Sequence, residues 1–387
     1  MKKLLRLGLT LSLATVLFAS CSSDDNSNNT GKPGDGGTIT PPTTENTIGG
    51  ELKKGEHLKL EKNKTYNLKS KLVVGDGAKL TIPEGVVIIG TGGTSAYIAV
   101  AQGGQIFVEG NKNNPVVMTA AEKERGSWGG LVLCGKAPIN KGTSATAEVS
   151  DLTYGGDVAN DNSGSIKYLR IEYAGANYNS EKEFNGLSMF GVGSGTTIQY
   201  VQAHEGSDDG FEWFGGTVSA QYLVSTNNDD DQFDWTEGWN GQENKFWYSK
   251  QSGTADRGFE ADNNSNNRSA NPYSNPKIDG VTLISAKKGE GTALKLREGT
   301  KGQISNIVLS GWKVGIDVEH DETLDNVSKG SLFVKNVQLI DVTTKVSGKD
   351  TKGNASDATK VLSEANNSGA GNGAGVPEWT KGWTVGL

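Results

Sequence analysis

SDDGFEWFGG (Ser207–Gly216) is a ten-residue stretch that the chain repeats twice in altered form. DDDQFDWTEG (Asp229–Gly238) and TADRGFEADN (Thr254–Asn263) keep its centre, a Phe followed directly by an acidic residue. The Phe residues of the three copies are 22 and 26 positions apart. A recurrence at this period is typical of repeat architectures, in which each repeat is one structural unit stacked on the previous one.

A second pattern, apolar-x-x-apolar, keeps a similar period with one lapse. It recurs as IKYL (Ile166–Leu169), IQYV (Ile198–Val201), AQYL (Ala220–Leu223), NKFW (Asn244–Trp247), IDGV (Ile278–Val281), ISNI (Ile304–Ile307) and VKNV (Val334–Val337). The steps between the final residues are 32, 22, 24, 34, 26 and 30. Three short strands and three turns fit into twenty-odd residues, and a longer step places its extra residues in a loop outside the ladder. The pattern therefore predicts the rungs of a parallel β-helix.

The N-terminal part of the domain shows a repeat of similar period. VGDGAKLTIPEGVVI (Val74–Ile88) and VAQGGQIFVEG (Val100–Gly110) align, so that Leu80 and Ile82 stand 26 positions before Ile106 and Val108. Residues 49–345 contain no long helix-period segment, and the chain has 54 glycines, which favours strands and turns. We predict an all-β fold, a single-stranded right-handed parallel β-helix (solenoid) of about nine or ten rungs over residues 49–345.

Equivalent residues of successive rungs lie about 4.8 Å apart in such a solenoid. One column is predicted to point inward and to stack large apolar side chains; it contains Phe211, Phe233, Phe259, Leu294 and Ile316. Side chains alternate along a strand, so the next residues point outward from the same sheet. These are Glu212, Asp234, Glu260, Lys295 and Asp317. Asp209, Asp231 and Arg257 stand two residues before the inward column, and we place them in the preceding turn.

Both ends of the chain differ from the repeat. Residues 1–20 have basic residues followed by a short apolar run, the layout of a secretory signal peptide, and LFASC ends at Cys21 as a lipidation site does. Residues 21–48 have almost no large apolar side chains and are predicted to be a flexible tether after lipidated Cys21. Residues 346–387 lose the repeat. We expect an irregular C-terminal cap there, with a short helix-like piece and with Trp379 and Trp383 over the final rung.

Composition excludes several classes of function. The formal charge is −7, and it would be −10 after loss of a signal peptide, so nucleic acid is not an expected partner. Cys134 has no partner for a disulfide once Cys21 is lipidated, and its apolar surroundings predict a buried residue. The three His residues, His57, His204 and His320, are too far apart in rung order for a zinc site.

A family resemblance adds to this interpretation. KTYNLKSKLVVGDGAKLTIPEGVVIIG, NNPVVMTA, SWGGLVLCGKAPIN, IKYLRIEYAG and DDGFEWFGG, in this order, resemble the pectate-lyase-like β-helix lipoproteins of Bacteroidota over nearly all of residues 50–345. The resemblance implies a fold and a location, lipid-anchored in the outer membrane and exposed at the cell surface, rather than a reaction. The acidic pair in SSDD (Ser22–Asp25) resembles the surface-export signal of such lipoproteins. Members of these groups often accompany TonB-dependent outer-membrane transporters, so a transporter is an expected partner.

The acidic residues of neighbouring rungs are the candidate site. Like charges stacked about 5 Å apart repel each other by on the order of 1 kcal/mol per pair in water. Such charges can be accommodated by a cation, by protonation, or by hydrogen bonds from turn backbone. Calcium needs six or more oxygen ligands, and Asp231, Asp234 and Glu260 could supply several of them.

The expected function is binding rather than catalysis. The predicted ligand-binding residues form an acidic-aromatic face for an extracellular glycan: Asp208, Asp209, Glu212, Asp231, Asp234, Trp239 and Glu260. Trp239 is placed by the period on a loop, whereas Trp213 and Trp235 alternate back toward the interior. Two alternatives stay open: a calcium-dependent polysaccharide lyase with Arg257, Lys295 or Arg297 as base, and a structural accessory of a transporter or assembly complex.

Overall fold

The structure, a computed structural model, describes residues 38–39, 46–251 and 253–387. The predicted signal peptide, Cys21 and almost all of the predicted tether lie outside these residues. Strand structure begins again at Thr47, two residues before the predicted start of the solenoid. Within the described residues, no helix has the length and apolar character needed to cross a membrane.

The described elements are mostly short strands. They are β1 (Thr38–Ile39), β2 (Thr47–Leu52), β3 (His57–Lys59), β4 (Thr65–Val74), β5 (Lys79–Pro83), β6 (Val87–Gly90), β7 (Tyr97–Val100), β8 (Gln105–Glu109), β9 (Val116–Ala120), β10 (Gly130–Cys134), β11 (Ala145–Thr146), β12 (Thr153–Tyr154), β13 (Gly164–Glu172), β14 (Leu187–Phe190), β15 (Thr197–His204), β16 (Phe211–Phe214), β17 (Ala220–Thr226), β18 (Phe233–Thr236), β19 (Asn244–Lys250), β20 (Phe259–Ala261), β21 (Lys277–Ile284), β22 (Glu290–Leu296), β23 (Gly302–Ser310), β24 (Trp312–Glu319), β25 (Leu332–Ile340), β26 (Thr344–Lys349) and β27 (Leu362–Glu364). One α-helix, α1 (Asp321–Ser328), and three 3₁₀ turns (Gly93–Ser95, Thr359–Val361 and Glu378–Thr380) complete them.

All of the described strands except β11 and β12, which form a separate antiparallel pair, join three parallel ladders, and this confirms the predicted right-handed parallel β-helix. Sheet A runs through β2, β4, β7, β10, β14, β16, β18, β20, β22, β24 and β26. Sheet B consists of the first halves, and sheet C of the second halves, of long strands such as β15, β17, β19, β21 and β23. Sheet A contains eleven strands, one or two more than the predicted rung count, because the described rungs begin at β2 and continue to β26.

Both predicted registers are confirmed. Phe211 pairs with Phe233, Phe233 with Phe259, and the column continues through Leu294 to Ile316 in sheet A. These five side chains are fully buried. The final residues of the apolar-x-x-apolar motifs pair rung by rung in sheet C, from Leu169 to Val337. A parallel sheet buries its inner face, so this apolar column supplies the core of the solenoid.

The chain bends between sheets B and C at one residue with positive φ in each rung. This residue is Tyr168, Tyr200, Tyr222 or Phe246 in four successive rungs, with φ of 52–59°. Left-handed backbone is unfavourable for a bulky residue, and here the aromatic rings compensate by stacking on each other. The rings of Tyr168 and Tyr200, and those of Tyr200 and Tyr222, lie 4.4 Å apart and nearly parallel. The third position of the motif therefore builds an aromatic stack on the outside of the bend.

Trp379 and Trp383 do not cover the final rung, so that part of the prediction is wrong. Ala358 and Val361, from the same C-terminal segment, do pack against the core of the solenoid. β26 and β27 extend sheets A and B, and residues 366–387 then run back along sheet C toward earlier rungs. Trp383 is buried against the aromatic stack, with its ring edge-on to Tyr200 at 6.0 Å. Gln202 and Val385 exchange two hydrogen bonds, at 2.7 and 3.0 Å. The helix-like piece predicted near residues 355–365 is only a 3₁₀ turn followed by β27.

We expect Trp383→Ala to detach residues 366–387 from the solenoid, because it removes the side chain that covers the aromatic stack. The loss of a buried Trp costs about 3–5 kcal/mol where the site cannot collapse. The melting temperature should fall, and trypsin should cleave after Lys381 much faster than in the parent protein. Trp379→Ala is the control and should have a smaller effect, because Trp379 is only partly buried. Unchanged melting and cleavage in Trp383→Ala would contradict this assignment.

Candidate functional site

The acidic residues lie where sheet C turns into sheet A. Asn228 fixes this turn, because its side-chain oxygen accepts a hydrogen bond from the backbone N–H of Gly206 at 2.8 Å. The turn acids then connect neighbouring rungs. The N–H of Asp231 donates to Asp209, and the N–H of Arg257 donates to Asp231, each at 2.8 Å. The turn position predicted for Asp209, Asp231 and Arg257 is confirmed, and hydrogen bonds from turn backbone do hold two of these carboxylates.

The structure brings six of the seven predicted ligand-binding residues together. Together with Asp230 and Asp256, which are not among the predicted ligand-binding residues, they form four overlapping groups of three carboxylates. Within each group one oxygen of every residue lies within 4.8 Å of the others. The groups are Asp208, Asp209 and Asp230; Asp209, Glu212 and Asp234; Asp230, Asp231 and Asp256; and Asp231, Asp234 and Glu260. The last group is the predicted calcium set. Ten residues line a cleft of about 500 Å³ over the first two groups, and eight of them are Asp or Glu. We call it the acidic cleft.

Trp239 is the seventh predicted residue, and its predicted exposure is wrong. Its side chain is fully buried, its indole N–H donates to the carbonyl of Val218 at 2.9 Å, and its ring stacks on Trp213 at 4.6 Å. Trp213 and Trp235 are also buried, as their alternation predicted. The turn that follows β18 returns Trp239 to the core, a path that the period alone does not reveal. No aromatic residue is among those that line the acidic cleft in the described part of the chain.

Basic residues neutralise the acids at one end of the column. Arg257 makes ion pairs with Asp256 at 2.8 Å and with Glu260 at 2.7 Å. Arg297 pairs with Glu260 and, at 2.9 Å, with Asp262. Two of the three members of the predicted calcium set, Asp231 and Glu260, therefore already contact an arginine.

The same ion pairs bear on the three predicted bases. Burial lowers the pKa of Arg257, but the nearby carboxylates, Asp231 foremost, outweigh it and raise that pKa above its ordinary value. Lys295 lies between Asp317 at 2.6 Å and Glu319 at 2.5 Å. Each predicted base is thus held by carboxylates in this structure, and none lines the acidic cleft.

Asp209, Glu212 and Asp234 form the group without an arginine or lysine partner in the described structure; we call them the unpaired triad. Asn185 donates a hydrogen bond to Glu212 at 2.6 Å. Oδ1 of Asp234 is buried, and no group of the described residues donates a hydrogen bond to it. Burial, and after it the neighbouring carboxylates, raise the pKa of all three well above the ordinary range. Burial and Asp230 raise the pKa of Asp208 to about 7.

A loop that breaks the repeat shapes one wall of the acidic cleft. Residues 135–162 cover the outer face of sheet A, where Tyr154 and Ile139 pack with Phe190 and Phe214. Glu148 belongs to this loop and lines the acidic cleft. A second loop, between β13 and β14, contributes Ser180–Glu183 to the lining. Sequence reasoning missed these residues because they follow no period.

The unpaired triad fits a calcium ion by its donor chemistry. Calcium prefers carboxylate oxygens, six to eight in number, and tolerates irregular geometry. Carboxylates of adjacent rungs are spaced so that one ion can contact oxygens from both. The buried Oδ1 of Asp234 lacks the donor that a buried carboxylate oxygen normally has. A cation at this point would supply the missing partner and offset the repulsion within the group.

Two other predictions concern residues away from the acidic cleft. Cys134 is fully buried in β10, and burial raises the pKa of its thiol to about 12, which confirms its structural role. His204 is buried in sheet C, where a ring nitrogen and the hydroxyl of Thr226 lie 2.8 Å apart. Burial lowers the pKa of His204, so this residue is neutral at pH 7.

Comparison with known proteins extends the resemblance seen in the sequence. A family model described as a pectate-lyase like beta helix domain matches residues 50–384. Neither the curated proteins nor the solved structures gave a match. The match covers most of the chain and agrees with the ladders described above, while the roles of individual site residues rest on the geometry.

We expect the metal-free protein to lose stability as the pH rises from 5 to 8. A carboxyl with a raised pKa holds its proton more tightly in the folded state than in the unfolded state. Its contribution is therefore fully present below the unfolded pKa of about 4 and is lost as the pH passes the folded pKa, about 7 for Asp208. Urea unfolding in EDTA across this pH range measures the effect.

Asp234→Asn should raise the free energy of unfolding at pH 8 by about 1–3 kcal/mol, because it removes a half-buried carboxylate that has no ion pair and whose buried Oδ1 has no hydrogen-bond donor among the described residues. It should also flatten the pH dependence. Asp317→Asn is the matched control, an outward residue of the same column that pairs with Lys295, and it should lower stability. Equal destabilisation of the two variants at pH 8 would mean that Asp234 has a partner in the folded protein.

Proposed function

The chain belongs to the pectate-lyase-like β-helix family, and on that premise we propose a cell-surface binding protein whose acidic cleft holds a divalent cation. Calcium is the cation that the donor set favours, since all of the donors are hard oxygens. Through this cation the acidic cleft would bind an extracellular ligand rich in oxygen atoms, with glycans as the expected class.

One observation carries the proposal: the unpaired triad, in which Asp209 is buried and Glu212 and Asp234 are half-buried, is crowded and has no ion-pair partner in the described structure. Two rungs away, Lys295 compensates Asp317 within the same column. The fold therefore allows a basic residue at an outward position of sheet A, yet Asp234 forms no ion pair within the described residues. Arg297 lowers the pKa of Asp234, but burial and the neighbouring carboxylates outweigh it. A cation from solution would supply the missing charge.

The burial of the tryptophans changes how a glycan would be recognised. A flat indole surface for sugar stacking is absent from the described lining of the acidic cleft, so recognition would depend on the cation and on hydrogen bonds. Three carboxylates leave several calcium coordination positions for a ligand. Carboxylate or hydroxyl oxygens of a uronate-containing glycan suit these positions. Such a ligand is itself negatively charged, so it needs the cation to offset repulsion from the acidic residues of the cleft.

Binding without catalysis remains the leading function because the lyase alternative needs a free base beside the cation. Arg257, Lys295 and Arg297 are each engaged with carboxylates. The raised pKa of Arg257 makes it a poorer base than an ordinary arginine. No observation at the acidic cleft favours the lyase over binding.

The proposed location follows from the sequence features of the N-terminus. A signal peptide over residues 1–20 and lipidation of Cys21 would anchor the domain to the outer membrane, and residues 21–48 would separate it from the lipid. The acidic pair of Ser22–Asp25 suggests export to the outer face of the cell. A TonB-dependent transporter is the proposed membrane partner in this setting.

Calcium binding is tested by calorimetric titration of the purified domain with CaCl₂ near pH 7.5. We expect saturable binding that weakens at least about tenfold in Asp234→Asn and is unchanged in Asp317→Asn. The affinity should fall as the pH is lowered through about 7, because protons compete for Asp208 and its neighbours. Absence of both heat and a thermal shift at millimolar calcium would overturn the proposal. Polygalacturonate added with and without calcium then tests the glycan step.

Anchoring is tested by metabolic labelling with a radioactive fatty acid. We expect the parent chain to carry the label and to sediment with membranes. Cys21→Ser should lose the label, while Cys134→Ser should keep it, because Cys134 is buried in the folded domain. Proteinase K added to intact cells should degrade a surface-exposed domain. An unlabelled parent chain would exclude the lipid anchor, and a fully protected domain would exclude surface exposure.

A further inference from the structure

A second concave surface lies on the outer face of sheet B, apart from the acidic cleft. Two adjoining cavities, of about 610 and 660 Å³, share Gln221, Gln242 and Glu243 in their lining. They therefore form one continuous depression, which we call the amide groove. No residue is common to the lining of the amide groove and that of the acidic cleft.

The amide groove is long and follows the axis of the solenoid. Its floor includes Thr197 of β15 and Gln221 of β17 at one end and Ser305 of β23 at the other. Five consecutive strands of sheet B, from β15 to β23, lie side by side over this distance. With about 4.8 Å between strands, the floor is about 19 Å long. This length suits a segment of an extended polymer better than a single small molecule.

Hydrogen bonds inside the protein hold the polar lining in place. Gln199 donates to the amide oxygen of Gln221 at 3.2 Å, and Gln221 donates to the backbone carbonyl of Glu243 at 3.1 Å. The hydroxyl of Ser219 accepts a hydrogen bond from the N–H of Glu243 at 2.9 Å. These side chains lose little freedom when a ligand binds, so the amide groove is preorganised.

The charge of the amide groove differs from that of the acidic cleft. Glu243 is the one ionisable residue in the first cavity. The second cavity adds Lys245, Lys277 and Asp279, so its two acidic residues are balanced by two basic ones. The remaining lining consists mostly of Ser, Thr, Asn and Gln. Amides and hydroxyls both donate and accept hydrogen bonds, which matches the hydroxyl groups of sugars and gives no preference for a charged ligand.

We propose that the amide groove binds a neutral polysaccharide chain lying along the solenoid axis. A peptide strand fits this surface less well, because strand addition requires an open sheet edge, and sheet B presents side chains here rather than unpaired backbone groups. Binding at the amide groove is independent of calcium and of the acidic cleft. The domain would then hold two glycan chemistries on two faces, a charged one through a cation and a neutral one through amides.

Affinity electrophoresis in native gels tests the proposal. The gels contain EDTA and one soluble neutral polysaccharide each: hydroxyethylcellulose, galactomannan, mixed-linkage β-glucan or starch. We expect at least one of them to retard the parent protein. Gln221→Arg places a bulky charge at the point common to both cavities and should weaken the retardation at least about tenfold. Gln199→Arg, on the neighbouring rung, is the second variant and should act in the same direction.

Gln338→Arg is the matched control, a half-buried outward glutamine of sheet C in β25, and it should bind like the parent protein. Asp234→Asn should also bind normally, which separates this result from any failure of the calcium site. Circular dichroism confirms that each variant is folded. The proposal is overturned if no neutral polymer retards the parent protein, or if folded Gln221→Arg and Gln199→Arg bind like Gln338→Arg.

Discussion

In-register stacking of one rung on the next is the constraint on which this molecule depends. Each residue lies about 4.8 Å from the equivalent residues of the two neighbouring rungs, so residues of one type at equivalent positions form a continuous column of like side chains. Large apolar groups benefit from this, as Phe211, Phe233 and Phe259 do in the core. Stacked acidic residues are destabilised by the same arrangement, since their like charges lie at short range from each other.

The outward column that contains Glu212, Asp234, Glu260, Lys295 and Asp317 has two parts, which differ in how this repulsion is offset. From Glu260 onward the chain supplies its own cations, with Arg257 and Arg297 around Glu260 and Lys295 beside Asp317. Glu212 and Asp234, which precede Glu260 in the column, have no such ion pair in the described structure, and burial raises the pKa of Asp234 well above the ordinary range. The column therefore changes within one rung, from a network of ion pairs to a group of acids without an ion-pair partner in the described protein, on which Arg297 acts only without direct pairing.

The repeat made the fold and the register predictable, because periodicity records which residues become vertical neighbours. It placed Glu212, Asp234 and Glu260 in one outward column, and the pairings confirm it. It could not place residues outside the period. The burial of Trp239 depends on the path of one turn, Glu148 reaches the acidic cleft from a covering loop, and the C-terminal segment docks on an aromatic stack that exists only once the rungs are assembled. Each of these depends on tertiary contacts that no local pattern encodes.

The uncompensated part of the column is not required by the fold. Ser188 precedes Glu212 in this outward column and Lys295 follows Glu260, so the position accepts neutral and basic residues as readily as acidic ones. Carboxylates at Glu212 and Asp234 therefore add like-charge repulsion to this column, and we expect them to lower stability. Local rules that a sequence breaks without structural compensation mark functional sites more often than structural ones. The balance of charge is thus the reason for proposing the unpaired triad as the functional part of the column, whereas the arginine-bound acids that follow it form a network of ion pairs.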